Sequence, residues 1–135
     1  MKVLIDLNIF IDVLQKRQEF LKASLQIVKQ ALTGTLTGCL PAHSVTTGVY
    51  ICSCHGNGTR KDDALNLILD RRIAVIPCDR KILLDARALG FADYEDAVVA
   101  VSAKKARCKY IITRNVKDFA GSPVPAITPT DFLAL

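Results

Sequence analysis

Short apolar, β-branched runs alternate five times along this chain with stretches of helical periodicity, and that alternation constrains the fold more than any other feature. Residues 2–6 (KVLID), 35–40, 73–76 and 110–113 read as strands, with a weaker one at 125–127. Between them lie amphipathic segments with local stop and start signals. Asn8 is placed to cap a helix over 9–16, and apolar positions from Phe20 to Leu32 repeat at helical spacing until Gly34. Further helices read at 44–53, at 62–71, from an Asp79 cap to Leu89 before Gly90, at 92–106 and at 130–133. Strands joined in this order by helices run parallel. The expected architecture is therefore α/β: a three-layer α/β/α sandwich around a central, mainly parallel sheet. At 135 residues the expectation is one domain over 1–135.

Half of the residues are apolar and mean hydropathy is +0.27, which suits a core built without staples. Aromatics make up 6% with no Trp, so that core is aliphatic. A net charge of +5 permits a polyanionic partner without demanding one. Charges interrupt every apolar run before the ~18 residues a membrane span needs, and Asp6 arrives too early for a signal-peptide core. The expected location is cytoplasmic, with no membrane partner. Five cysteines (39, 52, 54, 78 and 108) cannot all pair and read as free thiols. Cys39, His43, Cys52, Cys54 and His55 group as a candidate zinc site, but C-x-C-H lacks the spacing of common zinc modules. Small buried thiols are the simpler account. The glycine-rich 56–61 segment (GNGTRK) does not follow a strand and lacks phosphate-loop spacing.

Open parallel sheets place their sites beyond the carboxyl ends of the strands. Asp6 closes the first strand, Asp118 follows Thr113 on a loop leaving a later strand, and Asp93, Glu95 and Asp96 open the intervening helix. Three chain-distant acidic sets can thus meet at one rim. Packed carboxylates repel, and a hard dication such as Mg²⁺ or Mn²⁺ relieves the repulsion. Such a site suits phosphodiester hydrolysis. The ordinary alternatives are an N-cap at Asp93, a dipole-favoured first-turn residue at Asp96, and solvated or capping roles for Asp12, Asp62, Asp70 and Asp85.

The opening VLIDLNIFIDVLQKR, the segment FADYEDAVVAVSAKKARCKYIITRNVKDF and the ending PVPAITPTDFL resemble the PIN domains (PilT N-terminus type), which include the VapC-type toxins of toxin–antitoxin pairs. The resemblance implies metal carboxylates at Asp6, Asp96 and Asp118, with Asn115 completing the fourth position. It also implies that Asn8 supports Asp6 and that Thr113 orients the loop bearing Asn115. The family's second acid follows a Ser-x-x-Thr-x-x-Glu or Asp pattern, whose slots fall here on Pro41, Ser44 and Thr47. No Asp or Glu occurs anywhere in 20–61, so no shift of alignment restores it. A hydroxyl at Thr47 supplies no negative charge; Asp93 or Glu95 are the nearest substitutes.

The leading expectation is a Mg²⁺- or Mn²⁺-dependent endoribonuclease acting on single-stranded RNA. By the resemblance it leaves a 5′-phosphate and a 3′-hydroxyl. Arg114 and Lys117, beside the acids, are candidate phosphate contacts, with ordinary solvated loop charges as the alternative. A catalytically degenerate PIN domain that binds RNA or protein is the second expectation, motivated by the missing acid. An aspartyl phosphoacceptor fold built on Asp6 is the third; it lacks the Asp-x-Asp pair and a well-placed lysine. The resemblance further implies an antitoxin that inserts a basic group among the acids, and a homodimer. The apolar helices 9–14 and 20–32 could supply the dimer face or simply the core.

Overall fold

The computed structural model describes residues 1–55 and 60–135; the side chain of His55 and residues 56–59, hence the expected 55–58 loop, lie outside the described residues. Five parallel strands form one sheet in the order β3-β2-β1-β4-β5. They are β1 (Lys2–Ile5), β2 (Thr37–Pro41), β3 (Ala74–Ile76), β4 (Tyr110–Ile112) and β5 (Ala126–Ile127). The described helices are α1 (Leu7–Leu14), α2 (Gln18–Thr33), α3 (Ala42–His55), α4 (Lys61–Ile68), α5 (Arg80–Leu89), α6 (Tyr94–Lys105) and α7 (Pro129–Leu133). The α/β expectation holds.

Strand order explains why a site forms where it does. The chain builds outward from β1 through β2 to β3, then crosses back to lay β4 on the free side of β1, with Val3 paired to Gly38 on one flank and Tyr110 on the other. A crevice opens at such a reversal, beyond the carboxyl ends of the two strands. Asp6 follows β1 and Thr113 follows β4, so both stand at its mouth. The helix α6 runs into β4 and therefore presents its amino end, with Asp93, Glu95 and Asp96, at the same rim.

Alternation along β1 loads both faces of the sheet. Val3 and Ile5 pack with Phe10, Ile27, Val28, Leu40 and Ile68 on one side. Leu4 faces Cys39, Val99, Ala100, Ala103 and Ile111 on the other. In the helices considered for a dimer face, Ile9, Phe10, Ile11, Ile27, Val28 and Ala31 are buried in the chain's own core, while Val13, Leu14, Phe20, Leu21, Leu25 and Leu32 are half-buried. Two glycines are needed where helices come close. A Cβ on Gly38 would stand 2.8 Å from Ile5 Cδ1 and 3.0 Å from Ala31 Cβ. One on Gly48 would stand 2.9 Å from Leu7 Cδ1 and 3.1 Å from Ile68 Cδ1, so Gly48 lets α3 approach α1.

Local chemistry sets most element ends. Asp79 Oδ1 accepts from Ile82 N–H at 3.0 Å, and Gly34 and Gly90 close α2 and α5 in left-handed conformation, as expected. Thr128 caps α7 with Pro129 at its first turn. Asn8 does not cap α1: Asp6 does, through Oδ1 and Leu7 N–H at 2.8 Å, because the Asp6 N–H is pinned to the Ile112 carbonyl at 2.9 Å and the helix starts at once. A 3-10 turn at Val116–Phe119, unforeseen in the sequence, carries Lys117 and Asp118. The cysteines are free thiols, with Cys39 and Cys108 buried 3.2 Å apart between sulfurs. Among the described residues no helix is long and apolar enough to cross a membrane.

Candidate active site at the β1–β4 crevice

Asp6 is held on both oxygens. Oδ1 caps α1, while Oδ2 accepts from Thr113 Oγ1 at 2.7 Å and from Asn8 Nδ2 at 3.2 Å. Thr113 is fully buried, and its hydroxyl oxygen also accepts from the Asn115 backbone N–H at 3.1 Å. One threonine therefore ties the first carboxylate to the loop carrying Asn115, and Asn8 sits beside both. Burial pushes the Asp6 carboxyl above its ordinary range, an effect the Thr113 and Leu7 hydrogen bonds oppose. Glu95 raises it further and Arg114 lowers it.

On α6 the three acids divide their work. Asp93 is the N-cap, its Oδ1 accepting from Glu95 N–H at 2.8 Å and Asp96 N–H at 3.3 Å. Asp96 is pushed up to about 7, first by burial and then by Asp93, Asp6, Asp118 and Glu95. The crevice thus concentrates more negative charge than it can hold alone.

Two shallow clefts share Asp96 as a common wall. One, about 480 Å³, is lined by Phe91, Asp93, Asp96, Lys117 and Asp118 among others. The second, about 200 Å³, takes in Asp6, Asn8, Arg17, Thr47, Glu95, Asp96 and Asn115. All the acids of the expected set line these clefts, as do Asn115, Asn8 and Thr47. Thr47 does face the crevice, but its hydroxyl donates to the His43 carbonyl at 3.1 Å and brings no charge. Of the two substitute acids, Glu95 lines the same cleft as Asp6, whereas Asp93 is spent as a cap.

The donors are hard oxygens whose mutual repulsion raises Asp96, which is the chemistry a Mg²⁺ or Mn²⁺ ion fits. Asn8 Oδ1, buried and without a hydrogen-bond partner, adds a further unused oxygen at the crevice. Among the described residues no three His, Cys, Asp or Glu side chains close into a ready coordination set, so the oxygens form an open rim rather than a cage. Of the residues considered for zinc, Cys39, His43, Cys52 and Cys54 form no such set, and the His55 side chain lies outside the described residues.

Two expectations need correction. Asp12 is not solvated: it is fully buried, accepting on Oδ2 from Arg114 Nε at 2.8 Å and Ser24 Oγ at 3.0 Å. Arg114 is consequently not an open phosphate contact. Its guanidinium is paired with Asp12 and lies 4.2 Å from the Phe20 ring centroid. Arg17, which the sequence does not single out, also lines the smaller cleft. The signal available for Asp12 was an acid set among Ile11, Val13 and Leu14 on an apolar helix.

Known proteins share this fold. Ribonuclease VapC1 of Aquifex aeolicus is 26% identical over 136 residues, covering 97% of this chain and 92% of the relative. A crystal structure of VapBC2 from Rickettsia felis bound to a promoter DNA fragment superposes with TM-score 0.71 at 15% identity, over 95% of this chain and 98% of that one. A toxin–antitoxin complex from Klebsiella pneumoniae gives 0.66 at 23% identity, covering 94% and 97%. FitAcB from Neisseria gonorrhoeae gives 0.66 at 17%, covering 95% and 98%. The family model for the PIN domain matches residues 2–117, which takes in β1 through the Asn115 loop, and the chain belongs to that family.

Proposed function

We propose that this chain is a Mg²⁺- or Mn²⁺-dependent endoribonuclease that cuts single-stranded RNA, and that it is the toxin of a toxin–antitoxin pair. The observation that carries the reading is the gathering of Asp6, Asp96 and Asp118, from three separate parts of the chain, around two clefts that share Asp96. The ribonuclease name of the A. aeolicus relative supports the reaction class, and the neighbouring toxin–antitoxin complexes support an antitoxin partner.

In this reading Asp6, Asp96 and Asp118 hold the ion, with Asn115 completing the set. The ion, when bound, supplies Lewis-acid polarisation of a phosphoryl oxygen and of a water. Thr113 and Asn8 both donate to Asp6 Oδ2 and so fix the orientation of the carboxylate. Asp93 fixes the first turn of α6 and with it Asp96. Lys117, on the cleft wall beside Asp118, meets substrate phosphate.

The test is Mn²⁺-dependent cleavage of a single-stranded RNA by wild type, Asp6→Asn and Asp96→Asn. Each variant is expected to lose on the order of a hundredfold or more in rate. Equal cutting by all three removes the nuclease. The charge-free Thr47 position favours the second reading, a degenerate domain that binds RNA or protein; wild type that binds RNA but leaves it whole in Mn²⁺ would select it.

A further inference from the structure

An acid-rich crevice repels the polyanion it is meant to receive, so cations must flank it. Each cleft that meets at Asp96 has one among its lining residues: Lys117 on one side and Arg17 on the other. Arg17 leaves the turn between α1 and α2, where Lys16 adopts a left-handed φ of 50°. Its Nε and Nη2 donate to Gln15 Oε1 at 3.2 and 2.9 Å, which fixes the guanidinium plane without adding charge. Its other contact is Asp12 Oδ1, 3.8 Å from Nη1 and too long for a hydrogen bond. Asp12 is already committed to Arg114 at 2.8 Å. The two arginines thus share one carboxylate unequally: the Arg114 side chain is 19% exposed and hydrogen-bonded to it at 2.8 Å, whereas that of Arg17 is 39% exposed, oriented by Gln15 and paired only at 3.8 Å, so two positive charges face one negative.

Resting on the ribonuclease reading, we propose that Arg17 and Lys117 are the two ends of a phosphate clamp. A single RNA strand crosses Asp96 from one cleft to the other, with a backbone phosphate held on each side. Arg17 offers a planar fork suited to two phosphate oxygens, and Lys117 a point charge. Gln15 and Asp12 act as positioning residues for the arginine.

Anisotropy of a short fluorescein-labelled oligoribonucleotide, titrated over a range of salt in an Asp96→Asn background that removes cutting, tests the clamp. Each phosphate contact on a single strand contributes a salt slope of about 0.7. Adding Arg17→Gln is expected to lower the slope by about that amount and affinity by roughly tenfold; Lys117→Gln does the same. Arg71→Gln, exposed ahead of β3 at the opposite end of the sheet, leaves both unchanged. Should Arg17→Gln not fold, Arg17→Lys is read instead: the slope is kept, and affinity falls roughly threefold because the fork is lost. Unchanged slope and affinity in Arg17→Gln, unchanged affinity in Arg17→Lys, or an equal slope loss in Arg71→Gln would overturn the clamp. A parent that binds no RNA sinks the ribonuclease reading with it. A binding parent matched by Arg17→Gln sinks the clamp alone and leaves the arginine to a protein partner.

Discussion

The two walls of the crevice are built on opposite plans. The β1–β4 wall is wired: Asp6, Asn8, Thr113 and the Asn115 backbone share hydrogen bonds between 2.7 and 3.4 Å. The α3 wall brings Thr47 and His43 close but supplies no carboxylate. His43, with neither ring nitrogen hydrogen-bonded, lies 3.9 Å from Glu95, and burial pushes its pKa down. The contrast separates two demands on a cation site, orientation and charge. On the proposed reading this chain keeps the first on one wall and draws the second from α6, where Asp93 and Glu95 help to raise Asp96.

The largest effect is expected from breaking the wired wall. Thr113→Val keeps the volume but strips Asp6 Oδ2 of its 2.7 Å donor and the Asn115 N–H of its acceptor. Stability should fall by about 2 kcal/mol in a denaturant melt, and Mn²⁺-dependent cleavage should fall on the order of tenfold to a hundredfold. Cleavage at the wild-type rate would mean that orientation of Asp6 is not what the wall provides.

Restoring the other wall should give a smaller gain. Thr47→Glu places a carboxylate on α3 facing Asp6 and Asp96, and calorimetric Mn²⁺ affinity should tighten by roughly tenfold. An unchanged or weaker affinity would show that α6 already supplies all the charge the site can use.

The smallest effect concerns the price of the crowding. The folded chain keeps the Asp96 proton up to pH about 7, whereas the unfolded chain loses it near 3.8. Across that window the folded state binds more protons, so stability falls as pH rises. Asp96→Asn should therefore melt a few degrees higher than wild type at pH 8 in chelator, about 1–3 kcal/mol after allowing for solvent screening, and show no advantage near pH 4. Mn²⁺ should stabilise wild type and not the variant. A constant difference across pH would assign the effect to packing.

What the sequence could reveal followed the range of the forces involved. Strand runs, the Asp79 cap and the Gly34 and Gly90 stops rest on chemistry within a few residues and were legible. Asp6 and Asn8 are both good capping residues two positions apart, and the choice fell to the Ile112 carbonyl from another strand. Asp12 and Arg114 are 102 positions apart, so no local pattern joins them, and each was misread for want of the other. The need for Gly48 arises from Leu7 and Ile68 on two other helices. Only the family likeness pointed to Thr113, whose role depends on a partner 107 residues away.

That last separation has a temporal consequence. A polypeptide leaving the ribosome amino end first exposes Asp6 long before Thr113, Asn115 and Asp118 have been synthesised. Until the fourth strand docks against the first, the crevice lacks one side and Asp6 Oδ2 lacks its Thr113 donor. On the proposed ribonuclease reading, the order of synthesis alone leaves the unfinished chain without a complete site.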